Sequence, residues 1–188
     1  MYFGEMAADI QELASILDRK ATRRDVESLT WTLGLMGRTF SAGHFVRSLR
    51  EWDIAARQMG RFHETYDLYL TPTVAFPPVR IGELAPKPAE RTAMNVINAL
   101  GLGKLLQLSG ITDKLAIESL SKTPFTQLAN FTGLPAMSVP LHWTADDLPC
   151  GVQFIGRFGD EAALFRLAAQ LEAARPWFNR RPPKARPA

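Results

Sequence analysis

The chain reads as an α/β fold, a narrow sheet with helices layered on it. Two observations predict this. Most apolar residues recur every three or four positions, the spacing of amphipathic helices, whereas three short runs, LYLTPT, AMSVPL and GVQFIG, are β-prone and bounded by turn residues. Six or seven helices against three strands give α/β layering. All three runs read as apolar on both faces, as strands inside a larger sheet do. A piece of a bigger domain fits that balance better than a complete one.

Taken in order, Ile10, Leu13 and Leu17 mark a first helix, and RKATRRD follows as a charged connection. Val26, Leu29, Leu33, Met36 and Phe40 mark a second, with Thr22 and Asp25 at the spacing of a capping box. Ser41 caps a third, which places Phe45, Leu49, Trp52, Ala56 and Met59 on one face and runs to about His63. YDLYLTPT is then a strand stopped by Pro72, and five prolines between Pro72 and Pro88 make the following stretch a loop. Residues 90–122 return to helical composition, broken by Gly101, Gly103 and Gly110. A short helix near TPFTQLANFTG precedes the paired strands AMSVPL and GVQFIG. Last, GDEAALFRLAAQLEAARPW offers Asp160 as a cap and Leu164, Leu167, Ala168 and Leu171 as an apolar stripe. No internal repeat is present.

With 188 residues, 46% of them hydrophobic, the composition is that of a globular protein. No segment approaches the ~18 consecutive apolar residues of a membrane span, and MYFGEMAADIQE lacks the charge and apolar pattern of a secretory leader. A cytoplasmic protein with no membrane partner is expected. Cys150 is the one cysteine, so no intramolecular disulfide forms, and with three scattered histidines no metal centre is expected. The net charge of +3 comes from the end of the chain, where NRRPPKARPA holds Arg180, Arg181, Lys184 and Arg186; without those four, 18 basic residues face 19 acidic ones. Residues 179–188 therefore read as a solvated, disordered tail, and no nucleic-acid partner is expected.

A search for chemistry finds little. None of the eight serines sits in a G-x-S-x-G elbow or another glycine-rich turn, and Ser138, inside an apolar strand, reads as a small core residue. His44, His63 and His142 lie near element ends, where an imidazole is ordinarily solvated or capping. Asp146 and Asp147 are adjacent acids in a loop, and Cys150 has no histidine fixed beside it in sequence. No Walker motif or G-x-G-x-x-G is present. No cofactor is expected.

The order of four segments nevertheless resembles the C-terminal part of the amidase signature family. The segments are TFSAGHFVRSLREWDIAARQMGRFHETYDLYLTPT at 39–73, PFTQLANFTGLPAMSVPLHW at 124–143, LPCGVQFIGRFGDEAALFRLAAQLE at 148–172, and the closing PW at 176 and 177. The resemblance implies the C-terminal portion of the amidase-signature fold, a short mixed sheet covered by helices, with residues 1–178 forming part of a single domain. Members of the family cleave amide bonds with a serine nucleophile, a second serine in a cis peptide and a lysine, the serines lying in a GGSSGGS-like run. This chain has no such run and no Ser-Ser pair, and its lysines stand outside the family's lysine context.

The resemblance therefore implies no catalytic residue here. It implies a downstream part of a longer enzyme whose triad lies before Met1, inactive alone because acyl transfer needs an activated nucleophile and donors for the oxyanion. Trp31, Thr71, Phe125 and Asn130 are the residues it places nearest substrate, and an amide substrate is a partner only alongside the missing N-terminal half. Self-association into a homo-oligomer is a further expectation, because an incomplete sheet leaves apolar surface uncovered. Two alternatives stand beside this reading: a non-catalytic scaffold that completes a partner chain, and a small hydrolase using Cys150 or a serine near His142.

Overall fold

A computed structural model describes residues 1–109, 117, 120, 121 and 123–180. Gly110 and residues 181–188, the greater part of the expected tail, lie outside the described residues. In chain order the elements are α1 (Tyr2–Leu17), α2 (Ser28–Gly37), α3 (Ala42–Thr65), β1 (Tyr69–Pro72), α4 (Pro88–Leu100), α5 (Gly103–Leu108), α6 (Thr126–Thr132), β2 (Ala136–Trp143), β3 (Pro149–Ile155) and α7 (Glu161–Ala174). Their contacts group into two units, Met1–Glu51 with Val79–Leu120, and Trp52–Pro78 with Ser121–Ala188. Helix α3 runs from the first into the second.

The first unit is helical. Ile10 of α1 and Met36 of α2 are buried between the two helices' faces. They approach so closely that a β-carbon at Gly37 would run into the Phe3 carbonyl oxygen, a contact only glycine permits. Helix α4 is tied to α2 by polar groups. The Thr32 hydroxyl stands 2.9 Å from Asn98 Oδ1, the Asn98 amide donates to the Ser28 carbonyl at 2.8 Å, and Ser28 Oγ donates to Asn95 Oδ1 at 3.0 Å. Thr32 and Asn98 are both buried, so each needs these partners.

The start of α2 differs from the expected capping box. The helix begins at Ser28 with Glu27 at the N-cap position. Thr22 and Asp25 instead close a separate turn, in which Asp25 Oδ2 accepts the Thr22 N–H at 2.7 Å and its hydroxyl at 2.8 Å. The carboxylate is already committed, since Arg19 donates to both of its oxygens at 2.9 and 2.6 Å. Chiefly through Arg19, and then through Thr22, the Asp25 carboxyl is held well below the usual carboxylate range. Phe40, expected on α2, lies past its end and stacks on Phe3 and on His44. The Ser41 cap is as expected, with Oγ accepting the His44 N–H at 3.2 Å.

The second unit holds the sheet, in the order β1-β3-β2. Both pairings are antiparallel, so the sheet is not mixed: a short loop joins β2 to β3 as a hairpin, and β1 runs against β3 on its other side. Nor are its strands apolar throughout on both faces: one face is apolar, and the other mixes polar residues with apolar ones, the fully buried Ile155 among them. Val139 and Phe154 on one face pack with Met137, Val152 and Leu164, Leu167 and Leu171 of α7. Helix α7 is capped by Asp160, whose Oδ1 accepts the Ala163 N–H at 3.2 Å. On the other face Thr71, Gln153 and Ser138 lie side by side across the three strands. Trp52 of α3 stacks on Phe131 of α6, ring centroids 4.7 Å apart. Arg180, assigned to the solvated tail by the sequence, lies over the Trp143 ring at 4.0 Å and pairs with Asp147.

Hydrogen bonds fix which way each outer strand faces. Thr73 donates to the Gly151 carbonyl and Gly156 to the Pro135 carbonyl, so alternate residues face β3 and the intervening ones face away. Leu70 and Pro72 of β1, and Ala136, Ser138 and Pro140 of β2, therefore turn their main-chain groups outward. Each outer edge thus carries a proline at a position where an N–H is not needed by the ladder.

Candidate functional site

The polar face of the sheet is the arrangement nearest to a site among the sequence-predicted residues. Its centre is Gln153, only 4% exposed although it carries an amide. Nε2 donates to the Phe125 carbonyl at 3.1 Å and to the Thr71 hydroxyl at 3.3 Å. One side chain on β3 thereby fixes β1 and the residue that leads into α6. An amide satisfies this arrangement because it can donate twice from a single nitrogen. Thr71 is itself buried, at 7% exposure.

One step along the strands, Thr73 and Ser138 meet over Gly151, their hydroxyl oxygens 2.6 Å apart. They can do so because β3 offers no side chain at that point. A β-carbon at Gly151 would lie 2.5 Å from Ser138 Oγ and 2.6 Å from Thr73 Oγ1. Ser138 is thus an exposed, hydrogen-bonded residue and not the small core residue its apolar neighbours suggest. Its partner is a hydroxyl, which does not activate a nucleophile as an imidazole or amine would.

The four sequence-predicted contact residues fall into different places. Thr71 and Phe125 are brought together through Gln153. Asn130 is exposed on α6, outside that network. Trp31 belongs to the first unit, on α2, where the Arg38 guanidinium lies 5.4 Å from its ring centroid. Gln153 was not singled out from the sequence. Its signal was there as one amide or hydroxyl in the middle of each apolar run, at Thr71, Ser138 and Gln153, which only the register aligns. The register also sets His142 opposite Cys150, where the sequence had no histidine beside the thiol. No hydrogen bond joins the two. Among the described residues no group of three His, Cys, Asp or Glu side chains could hold a metal ion, and no helix is long and apolar enough to cross a membrane.

Comparison with known proteins gives one consistent result. The model of the family described as Amidase matches residues 1–165. The 6-aminohexanoate-cyclic-dimer hydrolase of Pseudomonas sp. (strain NK87) is 32% identical over 178 residues, 94% of this chain and 33% of that protein. The lipoamidase of Enterococcus faecalis is 33% identical over 156 residues, 83% of this chain and 21% of that protein. Among solved structures, 6-aminohexanoate cyclic dimer hydrolase superposes with a TM-score of 0.72 at 27% identity, covering 96% of this chain and 34% of the other. A bacterial aryl acylamidase of the amidase signature family shares the fold, with a TM-score of 0.58 at 20% identity. The chain spans between about a fifth and a third of the length of these curated relatives.

Proposed function

This chain belongs to the amidase family, and from that premise we propose that it is the C-terminal part of an amide-bond hydrolase, supplying scaffold and part of the acyl pocket but not the reacting groups. The observation that carries the reading is the coverage: nearly the whole chain aligns with about a third of a hydrolase. These 188 residues hold no Ser-Ser pair and no GGSSGGS-like run, which supports placing the Ser-Ser-Lys set elsewhere.

The division of labour follows from what the second unit can do. Gln153 fixes the backbone at Phe125 and the strand at Thr71, so the aromatic ring and the threonine become wall elements. Asn130 adds an amide able to orient substrate. The substrate class is a small, largely apolar amide, of the kind named in the hydrolases it resembles. Nucleophilic attack, proton relay and oxyanion stabilisation come from elsewhere in the assembled enzyme. A second reading, a scaffold that completes a partner chain, draws support from large apolar side chains left in solvent, among them Phe158 at 81%, Phe165 at 75% and Phe178 at 71% exposure.

The test is turnover of aryl and short-chain acyl amides by the isolated chain. No activity above background is expected. Measurable turnover that disappears on Cys150→Ala or Ser138→Ala would refute the reading and favour a self-standing hydrolase.

A further inference from the structure

In the first unit, helix α4 lies on α2 by its polar side. Asn95 and Asn98 turn toward α2, where they are bonded to Ser28 and Thr32. The opposite side carries Ala89, Thr92, Ala93, Val96 and Leu100, all exposed. This inverts the usual arrangement of a surface helix, whose apolar stripe faces inward. No charge interrupts the outward row, because at about 100° per residue Glu90 and Arg91 fall to its side and behind it. The Thr92 hydroxyl is spent on the Pro88 carbonyl at 3.0 Å.

Helix α5 extends this surface. The turn at Gly101 returns the Leu102 N–H to the Ile97 carbonyl at 3.1 Å. Helix α5 then presses on α2 at Gly103, where a β-carbon would lie 2.5 Å from the Leu35 carbonyl oxygen. Leu106 is buried, while Leu105 and Leu108 stay in solvent. Val96, Leu100, Leu105 and Leu108 are 51, 66, 61 and 84% exposed.

Two features say what covers the face. The first is the order of sizes along α4, which runs small, small, large, large at Ala89, Ala93, Val96 and Leu100. Turned end for end, the row complements itself: Leu100 of one copy meets Ala89 of the other, and Val96 meets Ala93. Both pairings share one midpoint, between Met94 and Asn95, so a single two-fold axis generates all four contacts. The second is area. Four large aliphatic side chains at roughly 100 Å² each, with the alanines and Thr92, give about 600 Å² per copy and about 1,200 Å² for a pair, the lower end of specific interfaces. We propose that the chain forms a two-fold dimer in which α4 packs antiparallel on its counterpart, with Leu105 and Leu108 at the margin. The inference rests on this surface alone and not on the amidase reading.

Sedimentation equilibrium of the full chain tests it. A monomer–dimer equilibrium with a dissociation constant of about 10–100 µM is expected for so small an interface. Leu100→Lys, at an exposed helical position, should keep the far-ultraviolet spectrum and weaken association by about tenfold or more, since it buries an unpaired charge. Ala93→Leu separates a fitted contact from a merely adhesive patch. Added apolar area would tighten adhesion, whereas in the paired geometry the larger side chain strikes Val96 of the other copy and weakens the dimer by about tenfold. Combining Ala93→Leu with Val96→Ala exchanges small for large and should return the constant to within about threefold of the parent. Phe165→Lys, on α7 of the other unit, should change nothing. A chain that stays monomeric to about 500 µM would overturn the proposal, whether or not it binds phosphatidylcholine vesicles through Leu100. So would tighter association of the Ala93→Leu variant, no recovery in the double variant, or loss of the dimer on Phe165→Lys.

Discussion

Replacing Gln153 with methionine should loosen the second unit at one identifiable place. Methionine has nearly the length and volume of glutamine, so packing on the polar face is preserved while both amide hydrogen bonds are lost. The bond to the Phe125 carbonyl is the better one, at 3.1 Å, and the bond to Thr71 at 3.3 Å is weaker. A typical intramolecular hydrogen bond contributes about 1 kcal/mol net, and leaving a buried partner unpaired costs about 1–3 kcal/mol. Burial of a thioether in place of an amide returns about 1 kcal/mol. The expected loss is therefore about 2 kcal/mol, read from urea unfolding followed by tryptophan fluorescence. Thr71→Val in the same background should cost less than it does alone, with a coupling of about 0.5–1 kcal/mol. Amide exchange should quicken over α6, because Phe125 leads into that helix. A loss below about 0.5 kcal/mol, or unchanged exchange in α6, would refute the assignment of Gln153 as the tie between strand and helix.

The remaining predictions concern two other contacts. Gly151→Ala should destabilise by about 1–3 kcal/mol through overpacking, because the new methyl group strikes both hydroxyls of the Thr73–Ser138 bridge; adding Thr73→Ala and Ser138→Ala should recover most of that, and a single variant as stable as the parent in urea unfolding would contradict the geometry. The Asp25 carboxyl is depressed in the folded chain, so its contribution to stability is present above the unfolded value of about 3.9 and is lost only as pH falls through the lower folded one. Carboxyl ¹³C titration should find Asp25 still ionised where an unperturbed aspartate is half protonated, and an ordinary midpoint would argue against the Arg19 pair.

Much of the fold is legible in the residues, for reasons that differ by element. The helices announce themselves because their apolar spacing is a local property, and Ser41 and Asp160 act as caps within three residues of their partners. The strands are legible as segments, but how they align is not. A single run such as GVQFIG looks uniformly apolar; pairing alone puts Gln153 beside Thr71 and Ser138 and gives the sheet a polar face. The same long-range alignment brings His142 opposite Cys150, although the two are eight positions apart in sequence. The Thr22–Asp25 spacing matched a helix start, yet Arg19 captured the carboxylate for a turn. Competition of that kind is invisible to a pattern read over four residues. Of the four residues expected near substrate, the Gln153 amide joins Thr71 with Phe125, while Trp31 belongs to the other unit and Asn130 stands apart.

The prolines on the outer strands set how this molecule would behave when crowded with its own copies. A cross-β stack requires a donor and an acceptor at every second residue on both sides of the layer, repeated without interruption. Here one side offers the N–H of Leu70 and then meets Pro72, and the other offers those of Ala136 and Ser138 before Pro140. Neither run is long enough to template a second molecule, so growth into fibres stalls after one or two bonds. Whatever self-adhesion its exposed phenylalanines cause would remain a matter of loosely joined side chains, dispersible by dilution, and the hairpin would keep its own register inside the cluster.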